Sequence, residues 1–478
     1  MSPAEGAPKP AARATTASGP ARQAPVRQAP TDLTLAFVDE SNVRALAAAT
    51  AEPDWLLADR LAGLHAFQAM PIETNQLYTP YVDLRNAHLA DVRPIATTDR
   101  PHGDCDELPE GAAAIAQIDE DGVCTIAVSD EAKRAGLMLE SLSRTRERDP
   151  ELFRRLLEGG CALPDNDKLA QMTRALWSDG VLVHVPNGVR LEKPVLLRWT
   201  VGRPGTALLA RTVISVGDDA ELSVVEEQLA AAGSTDLSAE SPQAFYAGTT
   251  EVQVGQASTL SFAGLQDLGL NQVAFQHRSA VLGKAATVRW ALAQLGCRVV
   301  RSRIDNRLEG DGSSVEQAEI VFGSADQLFD LTSYTRHTGR DTTGNLLSKG
   351  ALGDNSRAYL KGLATIDLSA HGTDSYLGEF AMLLSRHARS VAIPSLEIDQ
   401  PDCRRVAHAS SVGPIDEAQL FYLQSRGLNA EEARKFIVLG YLEPVVARVP
   451  LESARDHLRE LLEAKWEARG GRLVASVA

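Results

Sequence analysis

Three short segments between residues 385 and 410 hold the side chains best suited to metal chemistry. His387, Cys403 and His408 lie in or beside three consecutive strand-like runs, and imidazole nitrogen and thiolate sulfur are common ligands of iron and zinc. If those runs stack, we expect the three groups to lie near one another. A single histidine is more often a structural hydrogen-bonding group than a ligand. The pattern therefore favours a metal ligand shared with a partner over a metal site built by this chain alone.

Two pairs of adjacent carboxylates could serve acid–base chemistry on a carbohydrate. The pairs are Asp218-Asp219 and Glu226-Glu227. Neighbouring residues of a strand face opposite sides of a sheet, so we do not expect the two members of a pair to share one site. They are predicted instead to be solvated charges of turns and strands. A polysaccharide-acting enzyme remains the alternative from a different functional class.

The sequence lacks the motifs of the commonest nucleotide and hydrolase sites. It contains no GxxxxGK[ST] phosphate loop, GxGxxG dinucleotide turn, GxSxG nucleophile elbow or HExxH zinc motif. Any use of ATP must then come from a partner, and we expect that this chain is not an enzyme.

The composition indicates an acidic protein of two or three domains. The chain has 478 residues, and 63 acidic residues against 48 basic ones give it a net charge of −15. That charge disfavours binding to nucleic acid or to an anionic membrane surface. No apolar run approaches the ~18 residues that a membrane span requires. The five cysteines lie far apart with no CxxC pair, as expected of reduced thiols in a cytoplasmic protein.

The N-terminal part of the chain divides into a tail and a mostly helical domain. Residues 1–30 are rich in Ala, Pro, Gly, Ser and Thr and are predicted to be a disordered tail. Residues 31–180 are predicted to be mostly helical, with helices that begin after Pro53 and after Asp167. One hairpin that turns at Gly122 is expected to interrupt them.

A β-domain is predicted over residues 181–413, where the apolar periodicity changes to two. A turn signature of Gly followed three residues later by Ala or Ser recurs in it. Its glycines are Gly217, Gly255, Gly283, Gly310 and Gly353, which lie 38, 28, 27 and 43 residues apart. Stacked coils with loops inserted on one face would give such irregular spacings, so the pattern favours a parallel β-helix. The alternative is a β-sandwich in which these turns recur by chance.

Residues 414–478 are predicted to be a helical domain. One helix is expected to start at Pro414, and a second, capped by Asn429, is expected to end near Gly440. A third is expected from about residue 452 to 469. This domain is either a cap on the β-domain or a docking surface.

Several segments from about Asp167 to the C-terminal helices carry recognisable motifs. The most specific is the run LFYLQSRGLNAEEA, from Leu420 to Ala433. The other segments are residues 173–189, 337–339, 346–350, 394–398 and 406–413. Together these residues resemble the SufB/SufD family of iron-sulfur cluster assembly proteins.

The resemblance implies a right-handed parallel β-helix flanked by N-terminal and C-terminal helical regions. It also implies a non-catalytic scaffold in a complex with SufB and two copies of the SufC ATPase, with SufC docked on the helices after Gly413. Such a scaffold would assist iron acquisition and cluster formation. A nascent iron-sulfur cluster, or iron, is expected to be held jointly with SufB, with no cofactor bound tightly to the isolated chain. Whether the isolated chain forms a homodimer is left open.

Two positions distinguish SufD-like from SufB-like chains. SufB-like chains carry a cysteine six residues before Pro394, where this chain has Ala388. SufD-like chains carry a histidine that faces that cysteine across the subunit interface, and His408 matches it. The chain is therefore predicted to be SufD-like, with His408 as the candidate metal ligand and a SufB-like scaffold as the nearest alternative. Relatives can have a cysteine two residues before this histidine, but Val406 stands there, so the resemblance gives Cys403 no role.

Overall fold

The computed structural model describes most of the chain. Described are residues 33, 35–72, 84, 86–95, 108–159, 163, 165–231 and 242–475, apart from the side chains at positions 124, 159, 179 and 469–475. The tail predicted over residues 1–30 lies outside the described residues, as do Cys105 and Cys161.

Helices lie at the two ends of the described chain, with strands between them. The helices are α1 (Glu40–Ala49), α2 (Asp54–Ala69), α3 (Asp130–Ala135), α4 (Leu142–Arg148), α5 (Pro150–Gly159), α6 (Lys168–Leu176), α7 (Glu417–Ser425), α8 (Ala430–Val446) and α9 (Glu452–Ala475). None of these helices, within the described residues, is both long and apolar enough to cross a membrane. The first strands are β1 (Arg93–Pro94), β2 (Ala114–Asp119), β3 (Gly122–Val128) and β4 (Met138–Ser141).

The remaining strands form regular coils. They are β5 (Asp179–Val185), β6 (Val195–Val201), β7 (Thr206–Val216), β8 (Glu221–Ala230), β9 (Ala244–Val254), β10 (Thr259–Asp267), β11 (Gln272–Leu282), β12 (Thr287–Gln294), β13 (Val299–Leu308), β14 (Ser314–Gly323), β15 (Leu328–His337), β16 (Thr343–Leu352), β17 (Arg357–Ile366), β18 (Thr373–Leu383), β19 (Arg389–Ile398) and β20 (Cys403–Pro414). From β5 onward the chain alternates between two sheets, and neighbouring strands within each sheet run parallel.

The two sheets each have ten strands and enclose a common lumen. Sheet A has the order β19-β17-β15-β13-β11-β9-β7-β5-β4, with β1 beside β7. Sheet B has the order β20-β18-β16-β14-β12-β10-β8-β6-β2-β3. This architecture is a parallel β-helix, which confirms the prediction and excludes the β-sandwich.

Three apolar layers explain why the middle strands are buried on both faces. The first fills the lumen, where Phe262 and Trp290 pack. In the second, α1, α2 and α6 cover the outer face of sheet A, with Met172 packed in the same cluster as Phe275. In the third, α8 and α9 cover the outer face of sheet B, where Val438 belongs to the cluster of Ile320. Parallel sheets are usually covered in this way. The helices therefore flank the sides of the β-helix and leave its last coil uncovered.

Four of the five predicted glycine turns stack at the corner that leads from sheet A to sheet B. Gly217, Gly255, Gly283 and Gly310 lie after β7, β9, β11 and β13. A Cβ on Gly255 would lie 2.5 Å from Asp218 Oδ1 and 2.7 Å from the carbonyl carbon of Gly217. Neighbouring coils thus approach too closely for a side chain. Gly353 instead follows β16 at the opposite corner, which explains why its spacing does not match a coil.

The hairpin predicted around Gly122 is present and is part of the β-helix. β2 pairs antiparallel with β3 and parallel with β6, so it extends sheet B. β4, which the sequence did not suggest, extends sheet A by pairing antiparallel with β5. At the first coil, each sheet of the β-helix therefore has an antiparallel strand at its edge.

The helix expected to start at Pro414 starts three residues later. Pro414 is the last residue of β20, and α7 begins at Glu417. Asp416 caps α7 by accepting a hydrogen bond of 2.8 Å from the N–H of Ala418. A capped start fixes the first helical residue, so the prediction is wrong here.

The helix expected to end near Gly440 continues to Val446. It begins with the predicted cap, because the Asn429 side chain accepts hydrogen bonds from the N–H groups of Glu431 and Glu432. Beyond Gly440, Leu442 and its neighbours pack on the outer face of sheet B. That burial outweighs the ~1 kcal/mol that a glycine costs inside a helix, so the predicted end is wrong.

Candidate functional site

The last coil leaves one end of the β-helix open. β19 and β20 are the edge strands of the two sheets, and each of their residues is half-buried or exposed. We call this end the mouth. It is defined by the residues of the last coil that face the lumen, which are those paired in register with lumen-facing residues of the coil before. They are Ser390, Ala392, Pro394, Leu396, Ile398, Val406, His408, Ser410 and Val412. Edge strands present unpaired backbone groups, so the mouth can pair with strands of another chain.

His408 occupies a central position of the mouth. It pairs in register with Leu377 of β18. The equivalent positions in earlier coils of sheet B include Leu346 and Trp290, whose side chains lie in the lumen. No coil covers β20, so His408 is exposed. Its side chain forms no hydrogen bond or ion pair with any described residue. An imidazole in this state can bind a metal ion or transfer a proton.

Glu379 lies inside the lumen, one coil below the mouth, and the sequence analysis did not identify it. It is two residues from Leu377 on β18 and faces the same side of the sheet. It is 1% exposed, and neither carboxyl oxygen has a hydrogen-bond partner of normal geometry among the described residues. Burial raises the pKa of Glu379 to about 8, while the nearby amide of Ile393 and the charge of Lys361 act weakly in the opposite direction. The carboxyl group is therefore protonated at neutral pH.

The structure does not bring His387, Cys403 and His408 together. His387 lies in the corner between β18 and β19, and Cys403 is the first residue of β20, at the opposite corner. The ten residues of β19 separate these two corners. The described residues contain no group of three or more metal-ligating side chains. The expectation that the three lie near one another is wrong.

The described thiols are not placed for metal binding at the mouth. Cys403 lies five residues from His408 along β20, roughly 16 Å at 3.3 Å per residue, and its Sγ donates to the carbonyl oxygen of Gln400 at 3.1 Å. Cys297 is completely buried, and burial raises its pKa. Ala388 lies in the lumen cluster without a thiol. Among the described thiols, therefore, none is placed to supply a sulfur ligand at the mouth.

The carboxylate pairs have separate structural roles. Glu226 faces the lumen and pairs with Arg278 at 2.8 Å. Glu227 faces outward and pairs with Arg198 at 2.8 Å. Asp218 accepts a hydrogen bond from a backbone amide of the next coil. The prediction that the members of a pair do not share one site is confirmed for Glu226 and Glu227, which face opposite sides of sheet B. The prediction that these two are solvated charges is wrong, because they are only 2% and 3% exposed and pair with arginines. Asp218 and Asp219 are exposed, as predicted.

A second uncovered surface lies on α7 and α8, and we call it the helical groove. Its large exposed side chains are Phe421, Tyr422 and Phe436, which are 72%, 55% and 66% exposed. An apolar cavity of about 630 Å³ lies between the two helices and β18, and its walls include Met382, Ala418, Leu423, Ile437 and Tyr441. Exposed apolar surface of this kind marks protein association sites.

Comparison with known proteins finds two family models along the chain. The model of the SUF system FeS cluster assembly SufBD core domain matches residues 199–441, which include the mouth and most of the helical groove. The model of the SufBD protein N-terminal region matches residues 105–197.

This chain is also similar in sequence to known proteins over nearly their full length. The iron-sulfur cluster assembly protein SufD of Bacillus subtilis is 26% identical over 90% of this chain and 98% of its own length. An iron-sulfur cluster assembly SufBD family protein of Staphylococcus saprophyticus is 23% identical over 90% of this chain and 93% of its own. One from Staphylococcus epidermidis is 24% identical over 88% and 90%. These similarities extend over nearly the whole of each relative.

Proposed function

The chain belongs to the SufBD family of SUF-system iron-sulfur cluster assembly proteins and is most like SufD, and from this premise we propose that it is a non-catalytic scaffold subunit. In this proposal it joins a SufB paralogue to the SufC ATPase, and it assists iron acquisition and cluster formation at the SufB interface. The observation that supports the proposal most directly is the open mouth, where His408 is exposed and its side chain has no partner among the described residues.

The mouth is the proposed contact with SufB. Two adjacent edge strands offer backbone hydrogen bonds, while Ile398 and Val412 add apolar surface that is 47% and 39% exposed. A partner with its own open coil would satisfy both needs. His408 would then lie inside the interface, where its neutral imidazole can bind iron of the nascent cluster together with ligands from SufB. The cluster is the cargo of the complex and not a resident cofactor.

The helical groove is the proposed contact with the ATPase. The chain has no phosphate-binding loop of its own, so hydrolysis of ATP has to take place on another subunit. Phe421 and Phe436 are suited to anchor that subunit, because exposed aromatic side chains beside an apolar cavity often supply most of the binding energy. ATP-driven movement of the docked subunit could then be passed to β20, which continues directly into α7.

The alternative functions gain no support from the structure. Ala388 places no thiol in the lumen, which argues against a SufB-like role for this chain. A polysaccharide-acting enzyme would need a carboxylate pair in one site, and the pairs of this chain lie on different faces or in corners.

Co-expression with the SufB and SufC proteins of the same organism tests the proposal. Histidine-to-alanine variants at two exposed positions form a matched pair: His408→Ala at the mouth and His387→Ala at a corner outside it. We expect the wild type and both variants to assemble with SufB and SufC. His408→Ala should lower the iron and sulfide content of the complex after reconstitution, whereas His387→Ala should not.

Two results would contradict the proposal. If the wild-type chain binds neither protein, it is not a subunit of this complex. If His408→Ala assembles normally and yields as much cluster as the wild type, His408 is not a ligand. A His408→Ala variant that fails to assemble would give the residue a structural role.

A further inference from the structure

The lumen beneath the mouth contains a carboxyl group that the proposed function does not use. Glu379 is almost completely buried, and neither of its oxygens has a hydrogen-bond partner of normal geometry among the described residues. A buried polar group without a partner costs roughly 1–3 kcal/mol. The nearby amide of Ile393 offsets part of that cost, and a bound ligand could offset the rest.

The register places Glu379 beside His408. Leu377 pairs with His408, and Glu379 pairs with Ser410, so Glu379 and His408 are diagonal neighbours on the lumen face of β18 and β20. Diagonal neighbours have Cα atoms about 7–8 Å apart, within reach of long side chains. Metal–ligand bonds of ~2.0–2.2 Å to an imidazole nitrogen and a carboxylate oxygen would span that gap.

The neighbouring strand leaves room for this carboxyl group. A Cβ on Gly362 of β17 would lie 3.0 Å from Glu379 Oε1 and 2.6 Å from Leu377 Cδ2. A larger residue at position 362 would therefore clash first with Leu377 and would also crowd the Glu379 carboxyl group. Glycine at this position keeps the space under the mouth open.

We infer that Glu379 and His408 form a divalent-cation subsite in the mouth of the β-helix, suited to Fe²⁺. Carboxylate and imidazole are ligands that ferrous iron accepts. The inference rests on the proposed role of His408 and adds the second ligand from this chain. A bound cation would also stabilise the ionised form of Glu379, which burial otherwise disfavours.

Titration of the full-length chain with Co²⁺ alone tests the subsite, because the visible absorption of Co²⁺ reports its coordination. The test variants are Glu379→Gln, which keeps size and shape, and Gly362→Ala, which crowds both Leu377 and the carboxyl group. The control is Glu397→Gln, because Glu397 lies on the same last coil but on the outer face of sheet A, beside Thr365.

The wild type should bind Co²⁺ saturably, and Glu379→Gln and His408→Ala should each weaken binding by about 10- to 100-fold. The double variant should lose less affinity than the product of the two single losses, because both residues serve one site. Gly362→Ala should also weaken binding, and Glu397→Gln should leave it unchanged. Unfolding midpoints close to the wild-type value would show that the Gln variants are folded.

The subsite and the proposed function can fail separately. Unchanged Co²⁺ affinity in Glu379→Gln, or no saturable binding by the wild type, would overturn the subsite. If Glu379→Gln lowers Co²⁺ affinity but His408→Ala leaves the cluster yield of the complex unchanged, the subsite stands and the proposed function of His408 fails.

Discussion

His408 of β20 stands directly opposite Leu377 of β18, in a parallel register that is continuous from Asp374 and Arg405 onward. Leu377 is buried in the lumen, whereas His408 is exposed. The two residues occupy the same position in neighbouring strands of sheet B. They differ in exposure because β20 is the edge strand, with no further coil stacked on it. The side chain that fills the core in the coils below is therefore accessible to a ligand in the last coil.

Charge introduced at the mouth should prevent association with SufB. In the variant Ile398→Asp/Val412→Asp, two exposed apolar residues of the mouth become like charges, and burying them in an interface without partners is unfavourable. We expect the affinity for SufB to fall at least about tenfold, measured by sedimentation velocity. Leu368→Asp, at an exposed corner position, should leave the affinity unchanged; equal losses in both variants would argue against the mouth as the contact.

Truncation of two aromatic residues of the helical groove should weaken binding of the ATPase. Phe421→Ala/Phe436→Ala removes the two most exposed aromatic side chains of the groove, and a hot spot of this kind contributes about 2–4 kcal/mol. Binding can be measured by calorimetry, with Leu368→Ala as the control. Retained affinity would place the docking surface elsewhere.

Deletion of residues 415–478 is a poor substitute for these point variants. Without α8 and α9, the outer face of sheet B would expose Ile320 and other buried apolar residues. Lost binding could then reflect a damaged β-helix.

His337 should make the protein less stable in mild acid. Burial lowers the pKa of His337 to about 4, and its ring nitrogens contact Thr342 Oγ1 at 2.8 Å and Ser375 Oγ at 3.3 Å. The unfolded chain protonates near pH 6.5, so stability is complete above that pH and falls as the pH drops towards 4.

The histidine contribution can be isolated with His337→Gln. Relative to this variant, the wild type should lose about 2 kcal/mol of unfolding free energy between pH 7 and pH 5, measured by urea denaturation at both values. His387→Gln, at an exposed corner, is the control for the substitution itself. If the unfolding free energies of the wild type and His337→Gln change equally between the two pH values, the prediction is contradicted.

Two glycines should respond to alanine in opposite directions. Gly440 lies inside α8 with open space where a Cβ would be, so Gly440→Ala should stabilise the chain by about 0.5–1 kcal/mol. Gly255→Ala would drive a Cβ into the backbone of the preceding coil and should destabilise it by about 1–3 kcal/mol. Thermal unfolding of the two variants checks the signs, and a stabilising Gly255→Ala would contradict the stacked-corner interpretation.

The sequence predicted the β-helix because its physical cause is local. At the corner that leads from sheet A to sheet B, several neighbouring coils approach too closely for a side chain, and the recurring glycines reflect that requirement. The end of α8 could not be predicted from local sequence in this way. Gly440 is a helix-breaking signal in isolation, and only packing of Leu442 against sheet B overrides it.

The candidate site was predictable only in part. His408 came from a family motif, whereas Glu379 depends on the register between strands about thirty residues apart in sequence, which local patterns do not reveal. The one available signal was the carboxylate of Glu379 between the apolar residues of the second half of β18. The expected grouping of His387 with Cys403 failed because a full ten-residue strand separates their two corners.

The two ends of the β-helix differ in a way that limits how many molecules can join. The first coil ends in β3 and in the four-residue β4, which both run antiparallel to their neighbours. A second molecule that stacked head to tail could pair its mouth strands with these edges only in the antiparallel sense, and the four-residue β4 offers few backbone partners. In the proposed complex, mouth-to-mouth pairing would cover the long edge strands β19 and β20 and leave only the edges at the first coil for a further molecule. Short edge strands are poor templates for association, which would disfavour growth beyond a pair.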